Sequence, residues 1–167
     1  MENFDAPRDA NGDSESYGVV YLAGPLFTGA ERQWNMRLKE AFEALRYRVL
    51  LPQDLEGTAD FSNPIDLAKR IFLGDKEAID KADFVIACMD GPDPDSGTAW
   101  ECGYAYAKGK AVITYRTDMR NLLDPTKAKF NLMLTESSFV LDLGAEPWLR
   151  SPTEIASSAH AAITRRA

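Results

Sequence analysis

The sequence has few residues of the kinds that bind metals or form disulfides. Its 167 residues include two cysteines, Cys88 and Cys102, and a single histidine, His160. Two cysteines are too few for a disulfide framework, and no second Cys or His pair completes a metal-binding pattern. The lone histidine, in the last predicted helix, makes a catalytic Ser–His or Cys–His pair hard to build. We expect Cys102 to be a small packed hydrophobic residue rather than a reactive thiol.

Positive charge and long apolar runs are also scarce. Lys and Arg together number 19 against 26 for Asp and Glu, which gives a net charge of −7. This balance argues against duplex nucleic acid or an anionic membrane as a partner, because both select for clustered Lys and Arg. No apolar run approaches the ~20 residues that span a bilayer, and the N-terminus lacks the apolar stretch of a signal peptide. The sequence therefore predicts a cytoplasmic protein with reduced thiols.

The domain organisation follows from length and local composition. Residues 1–16 are acidic and polar, with almost no apolar side chains, and we expect them to form a disordered leader. A domain typically takes roughly 100–200 residues, so residues 17–167 are expected to form a single domain. No internal repeat or second linker interrupts this range.

Short apolar runs alternate with amphipathic stretches along the chain. Strands are expected at 19–23, 48–52, 84–89, 111–115 and 139–141. Helices are expected after the capping-box pair Thr28 and Glu31, at 64–81, 98–108 and 129–134, and after Pro152, with a loop at 53–63. In helix 64–81 the apolar residues expected to face inward are Ile65, Ala68, Ile71 and Phe72. This alternation predicts an α/β fold, a doubly wound parallel sheet with helices on both faces.

Acidic residues gather where such a sheet binds ligands, beyond the carboxyl ends of its strands. The loop after the third strand contains Asp90, Asp93 and Asp95 and leads into a helix that carries Glu101. We expect Glu101 in the first turn of that helix, where the helix dipole favours its ionised form. The alternative is a glutamate that only stabilises its own helix.

Further carboxylates within reach of Glu101 favour a catalytic interpretation. Asp95 precedes it in the loop, and helical spacing directs Asp75 toward the same sheet edge. Carboxylates gathered at one site repel, so one remains a base or nucleophile while another holds a proton. This division suits cleavage of a glycosidic bond. The alternative for Asp75 and Asp95 is ordinary solvated surface charge.

Four segments carry a family resemblance that extends over residues 19–133. They are Tyr-Leu-Ala-Gly-Pro at 21–25, Asp75 followed by Ile-Asp-Lys-Ala-Asp at 79–83, Asp-Ser-Gly-Thr-Ala-Trp-Glu-Cys-Gly-Tyr-Ala at 95–105, and Phe-Asn-Leu-Met at 130–133. In this order they resemble the nucleoside 2-deoxyribosyltransferase family. The Gly-Thr-x-x-Glu-x-Gly-x-Ala element is the most specific of the four.

The resemblance implies a flavodoxin-like fold and an enzyme that moves 2-deoxyribose from one nucleobase to another, acting on deoxynucleosides and free bases without metal or organic cofactor. Glu101 matches the family's nucleophile, which forms a covalent deoxyribosyl-enzyme. Asp75 and Asp95 match acids that handle the base and its proton, and Tyr21 matches a hydroxyl that orients the nucleophile. The alternative for Tyr21 is a core aromatic residue of its strand.

The resemblance also implies substrate-binding residues and an assembly. Asn131 matches a residue that family members place in a neighbouring subunit's site, where it binds the sugar 5′-hydroxyl, which implies a homo-oligomer; a helix cap is the alternative. Gln53 falls near a base-contacting glutamine, and Phe27 or Trp100 offers a face on which a base stacks. The remaining expected binding residues are Gly24, Pro25, Gly97 and Met133.

Two other functions compete with base transfer. A nucleoside 5′-monophosphate N-glycosidase has a related fold and nucleophile but is hydrolytic, and here Thr28 and Arg32 are the residues that favour phosphate binding. A non-catalytic nucleotide-sensing module on the same fold is the second alternative. Product analysis separates the first from a transferase, and the behaviour of Glu101→Ala separates the second.

Overall fold

The computed structural model describes residues 16–56, 64–120 and 130–165. Its strands are β1 (Val19–Ala23), β2 (Arg48–Leu50), β3 (Phe84–Cys88), β4 (Ala111–Tyr115) and β5 (Phe139–Val140). Its helices are α1 (Gly29–Ala44), α2 (Pro52–Glu56), α3 (Pro64–Lys81), α4 (Ser96–Ala107), α5 (Leu132–Glu136) and α6 (Pro152–Thr164), with a 3₁₀ turn at Pro147–Leu149. The expected leader lies outside these residues except for Ser16. None of the described helices has the length and apolar character needed to cross a membrane.

The strands form one parallel sheet in the order β2-β1-β3-β4-β5. This is the flavodoxin-like order of doubly wound folds, so the predicted α/β architecture is confirmed. The chain winds outward from β1 to β2 and then returns to place β3 on the other side of β1. The carboxyl ends of β1 and β3 therefore flank the point where the winding reverses, which is where such sheets bind ligands.

Alternate residues of each strand enter two separate cores. Val20 and Leu22 of β1 pack in a core with residues of α1 and α6, whereas Tyr21 and Ala23 pack on the opposite face with residues of α3 and α4. Because both faces are covered, the strands read as continuous apolar runs. The same alternation fixes which β1 side chains face α3 and α4, and Tyr21 is one of them.

The capping box predicted from the sequence begins α1 and shapes the turn before it. The Thr28 hydroxyl accepts a hydrogen bond from the Glu31 amide at 3.2 Å, and Glu31 Oε2 accepts from the backbone amides of Phe27 and Thr28 at 3.0 and 2.7 Å. Reciprocal bonds of this kind satisfy amides that a helix leaves free at its start. They hold the turn between β1 and α1 in place.

The predicted inward face of α3 was wrong. Ala68, Ile71 and Phe72 are exposed, and the residues of α3 that pack on the sheet come later, at Ala78 and Ile79; the side chain of Ile65 lies outside the described residues. Only the last turns of α3 pack on the sheet, so the apolar side chains earlier in the helix remain outside the core. The predicted loop 53–63 was also partly wrong, because Pro52 opens the short helix α2. Residues 57–63 lie outside the described residues.

Candidate active site

A cleft of about 520 Å³ opens beyond the carboxyl ends of β1 and β3. Its walls come from the β1–α1 turn, the start of α2, one side of α3 and the first two turns of α4. Its volume is within the range of small-molecule sites. The residues that line it are Gly24, Leu26, Phe27, Pro52, Leu67, Arg70, Ile71, Gly74, Asp75, Asp95, Gly97, Thr98 and Glu101.

Glu101 lies in the second turn of α4, one turn deeper than predicted, because the helix already begins at Ser96. The pKa of Glu101 is raised to about 7: burial is the main cause, the carboxylates of Asp75 and Asp95 add to the rise, and a hydrogen bond from Tyr21 opposes it. The expectation that the start of the helix favours the ionised form is therefore wrong, because the pKa of this carboxyl is raised rather than lowered. Near neutral pH the group is divided between its protonated and ionised forms.

Tyr21 connects the central strand to Glu101. Its ring is fully buried in the α3–α4 core, as the alternative interpretation expected, but its hydroxyl donates a hydrogen bond to Glu101 Oε1 at 2.6 Å. Burial and the nearby charges of Glu101 and Asp75 hold the pKa of Tyr21 far above its ordinary value. The hydroxyl therefore stays protonated and remains a hydrogen-bond donor at physiological pH.

Asp75 and Asp95 reach the cleft from different helices. Asp75 lies on α3, and Asp95 is the N-cap of α4, where its Oδ2 accepts hydrogen bonds from the Thr98 amide at 2.9 Å and the Thr98 hydroxyl at 3.2 Å. Both carboxylates are half-buried and close enough to raise the pKa of Glu101. Neither is a fully solvated surface charge.

The other expected binding residues at the strand ends lie in or beside the cleft. Gly24, Phe27 and Gly97 line it, and Phe27 is 75% exposed. Pro25 lines an adjoining pocket that shares Phe27 with the cleft. A Cβ atom at Gly24 would lie 3.1 Å from the Cβ of Cys88, so glycine allows β1 and β3 to end close together there.

Two expected base-contacting residues lie outside the cleft lining. Gln53 is buried, and its side-chain amide donates to the Arg32 carbonyl at 3.2 Å and accepts from Asn35 at 3.5 Å. Trp100 stacks on Tyr104 with 5.3 Å between ring centroids and an interplanar angle of 5°. Gln53 is bonded within the protein and Trp100 stacks on its own helix, which leaves Phe27 as the aromatic residue of the cleft among the residues that the structure describes.

Asn131 and Met133 lie at the start of α5, also outside the cleft lining of their own chain. Asn131 caps α5 by accepting a hydrogen bond from the Met133 amide at 2.9 Å, as the helix-cap alternative expected. Its own side chain is exposed, as are those of Leu132 and Met133, which are 66% and 71% exposed. This placement leaves them available to another molecule.

Sequence reasoning missed one wall of the cleft, which α3 provides. Leu67, Arg70, Ile71 and Gly74 line it, and their spacing of three and four places them on one helical side with Asp75. That spacing was a usable signal, but of these four residues only Ile71 entered the prediction, where it was assigned to the core. The two residues expected to favour phosphate are used locally, Thr28 as the cap of α1 and Arg32 as a donor to the Leu26 carbonyl.

The cleft chemistry rests on carboxylates and hydroxyls. Within the described ranges no group of three or more His, Cys, Asp or Glu side chains is arranged to hold a metal ion. Cys102, next to Glu101, is buried, and burial raises the pKa of its thiol to about 12. The thiol is therefore protonated and unreactive at neutral pH, as predicted.

The chain is similar in sequence and in fold to known proteins. The profile of the nucleoside 2-deoxyribosyltransferase family matches residues 20–134. A solved 2-deoxyribosyltransferase from Bacillus psychrosaccharolyticus is 28% identical with a TM-score of 0.60, over 72% of this chain and 82% of its own. A conserved protein from Enterococcus faecalis is 28% identical with a TM-score of 0.67, over 92% of this chain and 99% of its own.

A curated relative extends the comparison to a longer protein. An uncharacterized protein of Schizosaccharomyces pombe is 34% identical over 107 residues, which are 60% of this chain. The match covers 51% of that relative, so the chain spans about half its length.

Proposed function

Because the chain belongs to the nucleoside 2-deoxyribosyltransferase family, we propose that it transfers 2-deoxyribose between nucleobases through a covalent ester on Glu101. The observation that carries the proposal is the position of Glu101. Its carboxyl borders the cleft, one oxygen accepts a hydrogen bond from Tyr21 at 2.6 Å, and Asp75 and Asp95 act on it from two other directions. A held carboxylate beside a second acid is the arrangement of a retaining glycosyl transfer.

In the first half-reaction Glu101 acts as the nucleophile. One of its carboxylate oxygens attacks C1′ of a deoxynucleoside as the bond from C1′ to the base nitrogen breaks. The electron pair of that bond goes to the departing base, which takes a proton from Asp75 or Asp95. The Tyr21 hydroxyl orients the attacking carboxylate while the ester bond forms.

The second half-reaction reverses these roles. A nitrogen of another base attacks C1′ and gives up its proton to the acid that is now ionised, and the bond from C1′ to Glu101 breaks. Two inversions at C1′ give retention of configuration. Leu26, Phe27 and Ile71 form an apolar wall on which the planar base stacks, and a stacked base keeps water away from the ester.

The charge around the cleft favours neutral nucleosides over nucleotides. Among the described residues, three carboxylates line the cleft against the single guanidinium of Arg70. The adjoining pocket adds the acids Glu31, Asp90 and Asp93, while its Arg120 is paired with Asp118. A 5′-phosphate dianion would be repelled by this surplus. Arg70 is the observation that favours the alternative, a hydrolase of nucleoside 5′-monophosphates.

A base-exchange assay separates these functions. The protein is incubated with a deoxynucleoside and a second free base, and in parallel with the corresponding 5′-monophosphate, and the products are resolved by chromatography. We expect the exchanged nucleoside from the first mixture and little reaction in the second. Free sugar without exchange, or faster cleavage of the monophosphate, would contradict transfer and favour the hydrolase.

Glu101→Gln tests whether the activity belongs to this site. The substitution keeps the shape of the side chain but removes the attacking oxygen, so exchange is expected to fall by at least about 10³-fold. Glu77→Gln is the matched control because Glu77 is an exposed carboxylate of α3 that does not line the cleft. A different result would favour a sensing module: the wild type shows no turnover, and Glu101→Ala binds nucleoside with about the same affinity as the wild type.

We also propose a homo-oligomer in which α5 of one copy completes the site of another. The exposed Asn131 amide and the apolar side chains of Leu132 and Met133 support this, because they lie outside the cleft lining of their own chain. In the proposed assembly Asn131 binds the sugar 5′-hydroxyl in the neighbouring cleft. A neutral amide suits that hydroxyl better than it suits a phosphate.

A further inference from the structure

Thr98 places a buried hydroxyl at the cleft that the proposed reaction does not use. The residue is 1% exposed, lies in the first turn of α4 and borders the cleft between Asp95 and Glu101. A buried hydroxyl is costly unless it forms a hydrogen bond. Its partner is Asp95 Oδ2 at 3.2 Å, the same oxygen that accepts from the Thr98 backbone amide at 2.9 Å.

We propose that Thr98 is a positioning residue that fixes the rotation of the Asp95 carboxylate and directs Oδ1 to the substrate. The inference rests on the proposed function, in which Asp95 exchanges a proton with the base. The hydrogen bonds to Asp95 from described residues all end on Oδ2. Two donors on one oxygen leave the other oxygen free to accept from or donate to a ligand.

Helix capping alone does not explain the hydroxyl. An N-cap aspartate needs only the backbone amide of a residue in the first turn, and the Thr98 amide already supplies that bond. A valine at this position would keep the amide, the shape and the burial. The hydroxyl adds a second hydrogen bond to the same oxygen, and two donors on one oxygen restrict the rotation of the carboxylate more than one donor does.

Gly97 leaves room for the same oxygen of Asp95. A Cβ atom at position 97 would lie 3.0 Å from Asp95 Oδ2, which is closer than carbon and oxygen atoms ordinarily approach. A side chain at 97 would therefore displace the carboxylate by a few tenths of an ångström. The absence of a side chain at 97 and the hydroxyl at 98 therefore act together on the orientation of Asp95.

The test measures base release and base exchange by Thr98→Val, with Thr98→Ser as the matched control that keeps the hydroxyl. We expect Thr98→Val to lower kcat for base release about tenfold while KM stays within about twofold, because a turned carboxylate fails in the transition state rather than in binding. Thr98→Ser recovers most of the loss. Gly97→Ala, with the hydroxyl intact, lowers kcat in the same way, and melting temperatures verify that each variant is folded.

Coupling to Asp95 separates positioning from structural support. In an Asp95→Ala background, Thr98→Val is expected to cause no further loss of kcat. An equal loss in both backgrounds, a failure of Thr98→Ser to recover activity, or an unchanged kcat in Thr98→Val would overturn the inference. If the wild type releases base without exchange, base transfer is contradicted, but the positioning role of Thr98 can still be measured. If the wild type releases no base, both the transfer and the role of Thr98 are contradicted.

Discussion

At the scale of single residues, Glu101 combines requirements that oppose one another. In the proposed reaction, burial makes its carboxylate a better nucleophile by removing water, but burial is also the main cause of a pKa of about 7, so part of the population is protonated near neutral pH. The hydrogen bond from Tyr21 lowers that pKa and returns part of the population to the ionised form. The burial that favours the proposed attack therefore also reduces the fraction of Glu101 that is ionised, and the Tyr21 hydrogen bond partly restores that fraction.

The pH dependence of catalysis follows from this balance. In the proposed reaction, attack requires ionised Glu101 and departure of the base requires a protonated Asp75 or Asp95. We therefore expect log kcat/KM to rise with pH through a limb near 7 as Glu101 ionises, and to fall at higher pH as the acid loses its proton. In Tyr21→Phe the opposing hydrogen bond is lost, and the rising limb is expected to move to higher pH. Tyr104→Phe is the control, because the Tyr104 hydroxyl donates to Asp80 rather than to the cleft. A limb near pH 4.5, or one that Tyr21→Phe leaves in place, would be inconsistent with this account.

The same shift predicts a stability cost. The folded-state pKa of Glu101 lies above its ordinary value of 4.5, so folding favours the protonated form. Its contribution to stability is complete below about pH 4.5 and is lost as pH rises through about 7. Glu101→Gln is therefore expected to be more stable than wild type by roughly 2–3 kcal/mol at pH 8, with a smaller difference at pH 5.

Urea unfolding at the two pH values measures this difference. Glu77→Gln is the control, because an ion pair with Lys81 lowers the pKa of Glu77 and the linkage has the opposite sign. A difference between Glu101→Gln and wild type that is equal at both pH values would show that burial of the charge is not its cause.

At the scale of elements, the start of α1 organises one wall of the cleft. Glu31 Oε2 accepts from the amides of Phe27 and Thr28, and the Thr28 hydroxyl accepts from the Glu31 amide. The turn that carries Phe27 is thus part of the cap rather than a free loop. Its ring is 75% exposed at the cleft, on a backbone that the cap holds in place.

Loss of the cap is expected to affect both stability and binding. Thr28→Ala should lower the free energy of unfolding by about 1 kcal/mol, because it leaves the Glu31 amide without its partner. KM for deoxynucleoside should rise severalfold as the Phe27 ring loses its fixed position, while Thr28→Ser should stay close to wild type. Denaturant unfolding and steady-state kinetics on the three proteins check both effects; an unchanged stability in Thr28→Ala would contradict this role for the cap.

Sequence patterns predicted the sheet better than they predicted the helix surfaces. β1 is apolar throughout because both its faces are covered, so its position and the parallel arrangement were predictable. Periodicity on α3 identified an apolar side, but it does not distinguish a side that packs on the sheet from one that faces a ligand. Glu101 was assigned to the wrong turn because α4 begins at Ser96, capped by Asp95, rather than near 98.

Predictions from the family resemblance depended on how the local chain folds. Gln53 was expected near the base, yet α2 turns its side chain into contacts with Arg32 and Asn35. That helix begins at Pro52 within a segment whose composition indicated a loop. The placement of the cleft carboxylates depends instead on their positions on α3 and α4, and the spacing of the sequence motifs specifies those positions.

At the scale of the whole molecule, the acidic surplus has a spatial distribution that the net charge of −7 conceals. Asp75, Asp95 and Glu101 converge on the cleft from two helices that cover the same face of the sheet. Exposed apolar side chains at the start of α5 lie apart from it. The proposed reaction site and the proposed contact with a second copy are therefore different parts of the described surface.

Mixing two inactive variants tests the proposed assembly. Asn131→Ala lacks the amide that a neighbour needs, and Glu101→Gln lacks the nucleophile, so each alone is expected to lose exchange activity. After mixing under conditions that allow subunits to exchange, about a quarter of the sites should combine an intact Glu101 with an intact Asn131 from the partner. No recovery despite verified subunit exchange would contradict shared sites, and a monomer in light scattering would contradict the assembly.

Surface substitutions address the contact itself. Met133→Glu is expected to weaken the assembly because it buries a charge in an apolar contact. Met36→Glu is the matched control, since Met36 is 37% exposed on α1 and does not line the cleft. Light scattering over a concentration series measures both; equal weakening by the two variants would show a nonspecific effect of charge.

The most direct test of the central claim is the detection of the deoxyribosyl ester on Glu101. A 2′-fluorinated deoxynucleoside slows breakdown of the ester because fluorine destabilises the positive charge that develops at C1′. Peptide mapping by mass spectrometry is expected to locate one fluorinated sugar on Glu101 in wild type and in Glu77→Gln, with none in Glu101→Gln. Release of base without a sugar on the protein, or a sugar attached to another residue, would contradict the account.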